Sequence, residues 1–276
     1  MFSKSFLPVS YTHLDVYKRQ VMWRAVAGVL GVLLLIVVLL IWKRKKVSLK
    51  PAIVGAITFV VFAQVLEGIP KLIFFTSDTD LTEYVWTHAW AYVLIGCLMA
   101  GIFEETGRFV AFRFFLKKYQ DRKDAITYGI GHGGIEAILV LGISGISSIA
   151  LAAAVNDGSL AQSLSGISTG QLKSVEMQIT ALAGYGVGRM LLEVCERCIA
   201  MTLHIALSVV VFKAVQENQK RYLWIAMLLH AVFDIPAALC QCGVIGMGVA
   251  EIWLFVSVLV CVWYAKKVYG TLEEKA

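Results

Sequence analysis

The chain has 276 residues, of which 59% are hydrophobic and only 16% are charged, and its mean hydropathy is +0.75. These values exclude an ordinary water-soluble domain, because there is too little polar surface to cover a core in water. The net charge of +6 is carried mainly by short Lys/Arg clusters between apolar runs. Such clusters are typical of membrane orientation signals, so we expect no nucleic-acid partner.

In chain order, the first 20 residues are polar and aperiodic and resemble translated adapter sequence, so we expect a non-native leader. Residues 21–276 are predicted to form a single transmembrane domain. Their apolar runs have about the 20 residues needed to cross a hydrocarbon core roughly 30 Å thick. The prediction is an all-α polytopic membrane protein of about seven spans, at residues 25–42, 51–70, 89–116, 125–155, 187–215, 222–241 and 244–265.

Basic connections set the predicted orientation. Lys and Arg concentrate at residues 43–50, 117–123, 216–221 and 266–275, which alternate correctly along a seven-span chain. Because such loops stay in the cytoplasm, we expect the N-terminus outside, the C-terminus inside and a bacterial cytoplasmic membrane location. The Gly/Ser-rich stretch 156–186 is predicted as a loop with an amphipathic segment, and we consider it a possible gate for lateral substrate entry.

Ionisable residues inside the predicted spans are the strongest functional signal. Each costs about 2.5 to 3.5 kcal/mol at mid-bilayer unless it is paired, so function is the default explanation. The charged members are Glu104, Glu105, Arg108, Glu136, Glu193, Glu196, Arg197 and Asp234, and the spans also contain His132, His204 and His230. Glu193, Glu196 and Arg197 are interpreted mainly as structural.

Helical spacing groups these residues on shared faces. Glu104 and Arg108 are four residues apart, and Glu105 is three residues from Arg108. The other faces combine Tyr128 with His132 and Glu136, His204 with Ser208, and His230 with Asp234. Counted at about 1.5 Å per residue, four spans present acids or imidazoles roughly 10 to 18 Å from their basic ends. We therefore expect one polar cavity in the cytoplasmic half of the bilayer.

This combination of groups suits hydrolysis. Two adjacent carboxylates at low dielectric cannot both ionise easily, and Arg108 can hold one of them charged. A carboxylate can then act as a base on water, while histidines position that water or donate to the oxyanion. The residues thus predict peptide-bond hydrolysis inside the membrane.

Four ordered runs carry a family resemblance: GIFEETGRFVAF, YGIGHGGIEAIL, ERCIAMTLHIALSVVVF and LLHAVFD. They resemble the YhfC family of bacterial membrane proteins, regarded as related to the CAAX-processing and bacteriocin-processing glutamic intramembrane proteases. The resemblance covers nearly all of the chain after residue 20. It implies a metal-independent endopeptidase without a cofactor, acting on a membrane-associated peptide or protein.

By this likeness Glu104 would activate water, His132 would help to hold it, and His230 with Asp234 would serve the oxyanion. Glu105 and Arg108 complete the implied catalytic set, with Tyr128, Glu136, His204 and Ser208 as supporting residues. Arg108 follows the glutamate pair after two residues, where the wider protease clan has three. Which glutamate is the base therefore stays open.

Four alternatives remain at this point. Three histidines and a carboxylate could bind zinc, although no HExxH motif is present. Buried acids could relay protons in an ion-coupled transporter or channel. The chain could be an inactive relative that only binds. Ser144 could act as in a rhomboid-like serine protease, but its predicted depth is a turn or more beyond the histidines.

Overall fold

The computed structural model describes residues 14–44, 47–156, 159–183 and 185–272, and these are almost entirely helical. The span that begins at Lys50 continues beyond its first helix through π-helical turns at Val60–Leu66 and Leu72–Thr76, and the span that begins at Ala89 ends in a π-helical turn at Ala111–Phe115. The helices are α1 (Leu14–Lys43), α2 (Lys50–Phe59), α3 (Gly68–Lys71), α4 (Asp80–Thr87), α5 (Ala89–Val110), α6 (Arg122–Asn156), α7 (Leu160–Ser163), α8 (Thr169–Ala183), α9 (Val187–Gln216), α10 (Arg221–Gln241) and α11 (Met247–Tyr269).

The prediction of an all-α polytopic membrane protein is confirmed. Six helical segments of the described chain are long and apolar enough to cross a membrane, and a seventh is added if the bent pair α4 and α5 counts as one span. The bend measures 103° and falls at His88, whose backbone is extended. Large apolar side chains such as Leu40 and Trp224 are more than half exposed, as expected where lipid is the solvent.

Two faces of the bundle follow from the alternation of the spans. The ends near residues 43–50, 116–122, 216–221 and 269–272 share one side, which we call the basic face. The ends near residues 76–89, 154–187 and 241–247 share the other side, which we call the opposite face. The orientation of the two faces relative to the cytoplasm stays a prediction.

Helix α9 is the central element, and α6 packs against it as well as against α1 and α2. Close contact requires glycine on α6. A Cβ at Gly131 would lie 1.9 Å from the carbonyl oxygen of Ala52, and one at Gly129 would lie 2.5 Å from Cα of Ile205. These glycines let α2 and α9 approach the α6 backbone, so His132 is held between three helices.

The predicted loop 156–186 contains helix α8, which packs over the chain that follows the second span. Thr169 donates to Asp78 at 2.9 Å, and Ser168 donates to the carbonyl of Thr76. A Cβ at Gly170 would lie only 2.2 Å from the carbonyl oxygen of Phe75. This segment therefore covers the opposite face.

The expected leader lies mostly outside the described residues, although α1 already begins at Leu14.

Candidate active site

The centre of the site is the α5 turn that carries both glutamates and the arginine. Glu104, Glu105 and Arg108 are 7%, 0% and 0% exposed. Arg108 donates through Nη1 to Oε1 of Glu105, and its Nη2 lies 3.9 Å from Oε2 of Glu104. The predicted pairing is thus present. Glu105 is bound more tightly to the guanidinium, which leaves Glu104 available to groups on other helices.

Helix α6 brings His132 to Glu104. Nε2 of His132 lies 2.9 Å from Oε2 of Glu104, while its Nδ1 makes no hydrogen bond within the described residues. The ring is fully buried and meets the edge of Phe59 at 5.1 Å between centroids. Tyr128 packs one helical turn away, with its ring centroid 5.9 Å from that of His132. The Tyr128 ring therefore forms part of the wall around the imidazole of His132.

Helix α9 supplies His204, which connects two charge clusters. Its Nδ1 lies 2.6 Å from Nη2 of Arg108 and accepts from it, because a guanidinium can only donate. Its Nε2 then carries the proton and lies against Oε2 of Glu136. Glu136 also accepts from Nη1 of Arg197 at 2.6 Å. Ser208, by contrast, donates to the carbonyl of His204 in its own helix at 2.6 Å.

Helix α10 completes the site. Nδ1 of His230 lies 2.7 Å from Oε1 of Glu105, so the imidazole donates there and its Nε2 faces the cluster. That Nε2 is 3.9 Å from Oε2 of Glu104 and 3.6 Å from Oδ2 of Asp234. The Asp234 side chain is 34% exposed, which makes it the most open member of the cluster.

The structure brings nine of the ten predicted site residues into one connected group, with the Ser208 hydroxyl the exception.

Sequence reasoning missed Glu67, which is 1% exposed and ion-paired with Lys71 at 2.8 Å. It lies at the junction of a π-helical turn and α3, a feature that often marks functional positions. A lone acid within a predicted span, with a lysine four residues later, was the available signal.

The alternative serine nucleophile receives no support. Ser144 lies 12 residues beyond His132 on the continuous helix α6, about 18 Å along its axis. A serine protease needs its base within hydrogen-bond reach of the hydroxyl. Ser144 instead lines a cavity, and its backbone carbonyl accepts a 2.7 Å hydrogen bond from the hydroxyl of Ser148.

The donor set fits a metal ion. Glu104, His132 and His204 each offer one ligand atom, and these three atoms lie within 4.8 Å of one another. Two imidazoles and a glutamate are the donor set of one established type of catalytic zinc site. One adjustment is required, because Nδ1 of His204 accepts from Arg108, which must release it for that nitrogen to bind a cation.

A cavity of about 1310 Å³ adjoins the cluster. Glu136 and Asp234, the outermost members of the cluster, form part of its wall. Charged side chains from other helices line it as well, among them Arg24, Glu67 and Glu193. The buried cluster therefore has a polar approach.

Comparison with known proteins identifies the family. A family model described as "YhfC intramembrane metalloprotease" matches residues 30–260. The chain belongs to this family. It is also 37% identical over 262 residues to the "Uncharacterized membrane protein YhfC" of Bacillus subtilis (strain 168), which covers 94% of this chain and 98% of that protein. No solved structure matches significantly.

Family membership confirms the predicted enzyme class, an intramembrane protease in a multi-pass membrane protein. The cytoplasmic membrane is the expected location in a bacterium. The family description and the Glu104–His132–His204 donor set both favour the zinc alternative over the metal-independent one. The relationship to the CAAX-processing proteases and the individual residue roles stay predictions.

Proposed function

We propose that the chain is a metal-dependent intramembrane endopeptidase that cuts a membrane-associated peptide, with Glu104, His132 and His204 as ligands of a zinc ion. The observation that carries the proposal is the donor set: one carboxylate and two imidazoles from three helices, with ligand atoms within 4.8 Å of one another. When bound at such a site, zinc polarises a carbonyl and lowers the pKa of a bound water to about 7.

The protein residues around this position have separate tasks. Glu136 contacts Nε2 of His204, so the imidazole directs its Nδ1 toward Glu104. Arg108 lies between both glutamates and pairs directly with Glu105. A carboxylate that orients a metal-binding imidazole raises the basicity of that imidazole. Replacing such a carboxylate typically weakens metal binding about 10- to 100-fold.

Proton movement is assigned to His230 and Asp234. Because Nδ1 of His230 donates to Glu105, its Nε2 is free to accept or return a proton on the side of Glu104. Asp234 lies 3.6 Å from this nitrogen and reaches the cavity, where a substrate amide would lie. In peptide hydrolysis the leaving nitrogen must gain a proton, and this pair can deliver one.

A metal-independent glutamic mechanism is the second candidate, supported by two contacts. Nε2 of His132 already lies 2.9 Å from Oε2 of Glu104, a geometry in which the pair could hold and activate one water. Arg108 also occupies the lone pair of His204 that a cation would need. Under this mechanism Glu104 would be the base and no metal would be required.

Metal binding separates the two candidates. The purified protein and its His132→Ala and His230→Ala variants would be titrated with zinc by isothermal calorimetry, and their metal content measured by mass spectrometry. We expect one zinc per wild-type chain, a loss of at least tenfold in affinity for His132→Ala, and near-normal affinity for His230→Ala. Equal and negligible binding by all three proteins would rule out the zinc assignment and favour the glutamic mechanism.

A further inference from the structure

Among the described residues, the lining of the cavity beside the site reaches one end of the bundle and not the other. Its described lining includes residues at or near the helix ends of the opposite face, namely Thr76, Trp86, Ala154, Gln241 and Met247. None of its described lining residues belongs to the ends that form the basic face. At its inner end the wall includes Glu136 and Asp234, which contact His204 and lie next to His230.

Regular rows of residues lead from the opposite face to the site. On α5, Tyr92, Gly96 and Ala100 line the cavity at four-residue spacing, and Glu104 is the next member of this row. Four residues advance a helix by about 6 Å and keep nearly the same face. The row therefore descends about 18 Å from Tyr92 to the carboxylate at the centre of the site.

Helices α9 and α10 repeat this arrangement. On α9, Glu193 and Arg197 line the cavity, and His204 lies about two turns farther along the helix. On α10, Ala238 and Asp234 line the cavity, and His230 follows at the same spacing. The walls thus converge on the proposed ligands and proton carriers from the opposite face.

We propose that this cavity is the peptide-binding channel, and that the substrate is an extended peptide segment entering from the opposite face. The inference rests on the proposed function and specifies its substrate class. Because Lys/Arg-rich loops are retained in the cytoplasm, the predicted orientation makes the opposite face the extracytoplasmic one. The substrate is then the extracytoplasmic part of a membrane-associated peptide.

The size and lining of the cavity suit a peptide. A volume of about 1310 Å³ exceeds the roughly 300 to 1,000 Å³ of small-ligand pockets. An acyl or prenyl chain would remove water from the ion pairs in the cavity walls, such as Arg24 with Glu193, and desolvating charged groups costs free energy even when they are paired. A peptide backbone at membrane depth instead needs such polar partners. Gly96, Ala100 and Ala237 keep side chains short beside the site and leave room for that backbone.

Thiol labelling tests the direction of access without requiring catalysis. In a background with all six cysteines replaced by alanine, single cysteines would be placed at Ala100 in the channel, Gly246 on the opposite face and Lys220 on the basic face. Right-side-out and inverted vesicles would be treated with a charged, membrane-impermeant maleimide. We expect Ala100→Cys to label at least tenfold faster from the side that labels Gly246→Cys. Labelling from the Lys220 side, or none, would overturn the proposal.

Blocking the channel tests its use by substrate. After labelling with a bulky charged maleimide, detergent-solubilised Ala100→Cys should lose at least tenfold of its cleavage of a water-soluble quenched peptide, whereas labelled Lys220→Cys should keep its rate. Undiminished cleavage by the labelled Ala100→Cys protein would refute the channel but leave the peptidase intact. Unlabelled proteins that cleave a bilayer-embedded peptide but not the water-soluble one would refute the substrate assignment and leave the proposed function intact. If they cleave neither peptide, the proposed function fails and the substrate assignment with it.

Discussion

Replacing Glu136 by glutamine should weaken zinc binding about tenfold, although this residue is not one of the proposed ligands. Its carboxylate contacts Nε2 of His204 and accepts a 2.6 Å hydrogen bond from Arg197. The first contact fixes the tautomer whose Nδ1 lone pair points toward Glu104. A glutamine has the same shape and keeps one acceptor oxygen, but it loses the charge that strengthens both contacts.

The free energy of a charged hydrogen bond and the known effect of such carboxylates on metal affinity both predict a loss of about this size. Hydrogen bonds to charged groups contribute about 1.5 to 3 kcal/mol, and about 1.4 kcal/mol corresponds to a factor of ten in affinity. Removing a carboxylate behind a ligating histidine typically costs about 10- to 100-fold in metal affinity. Because glutamine retains an acceptor, we expect the lower end of this range.

The assay is competition of the purified protein with a fluorescent zinc chelator, which reads affinity directly and needs no substrate. Glu193→Gln is the matched control, because Glu193 lies on the same helix as His204 but about 16 Å from it and pairs with Arg24 at 3.1 Å. We expect the control to bind zinc like the wild type. If Glu136→Gln also stays within twofold of the wild type, Glu136 does not orient a metal ligand and the reasoning is refuted.

Four further substitutions have distinct outcomes. Gly131→Ala should lower thermal stability strongly because a Cβ there would lie 1.9 Å from a backbone oxygen of α2, whereas Gly142→Ala, with no neighbour within 4 Å, should stabilise by about 0.5 to 1 kcal/mol. Thermal unfolding in detergent measures both, and equal melting temperatures would contradict the packing of α6. Glu105→Gln should destabilise the protein by about 3 to 5 kcal/mol because buried Arg108 loses its closest partner; a denaturant titration showing under about 1 kcal/mol would count against this. Ser208→Ala should change zinc affinity less than twofold, since its hydroxyl bonds its own helix; a tenfold loss would place it in the site.

Much of the fold could be predicted from hydropathy alone. Runs of about 20 apolar residues can only be spans in a lipid solvent, and charged boundaries such as 43–50 mark their ends. The 103° corner at His88 was not predictable in the same way, because it depends on how α4 packs on its neighbours. The helix inside residues 156–186 was anticipated only as an amphipathic stretch, since its contacts with Thr76 and Asp78 are long-range.

Sequence reasoning could also predict which residues form the candidate site, but it could not predict the contacts between them. An ionisable group in a span signals function wherever it lies, which identified Glu104, His132 and His230. Helical spacing paired Glu105 with Arg108, as found. It could not show that Arg108 contacts His204, 96 residues away, because that contact depends on the crossing of α5 and α9.

The residue pattern could not decide between a zinc-dependent and a metal-independent mechanism. A carboxylate beside an imidazole suits both zinc binding and direct activation of water, so identical residues fit either mechanism. The spatial grouping of Glu104, His132 and His204 and the family description favour zinc. Glu67 was overlooked because a single acid near the end of a span resembles a boundary charge until its burial is known.

Cleavage of a bilayer-embedded peptide by the purified protein, before and after chelation, tests the central claim most directly. Wild-type protein and Glu104→Gln would be compared in proteoliposomes, with zinc returned to the chelated samples. The account predicts that wild-type cleavage disappears with chelator and returns with zinc, while Glu104→Gln stays inactive throughout. Wild-type cleavage that persists at full rate in chelator, with metal content below one-tenth of an ion per chain, would contradict the metal assignment and identify a glutamic protease.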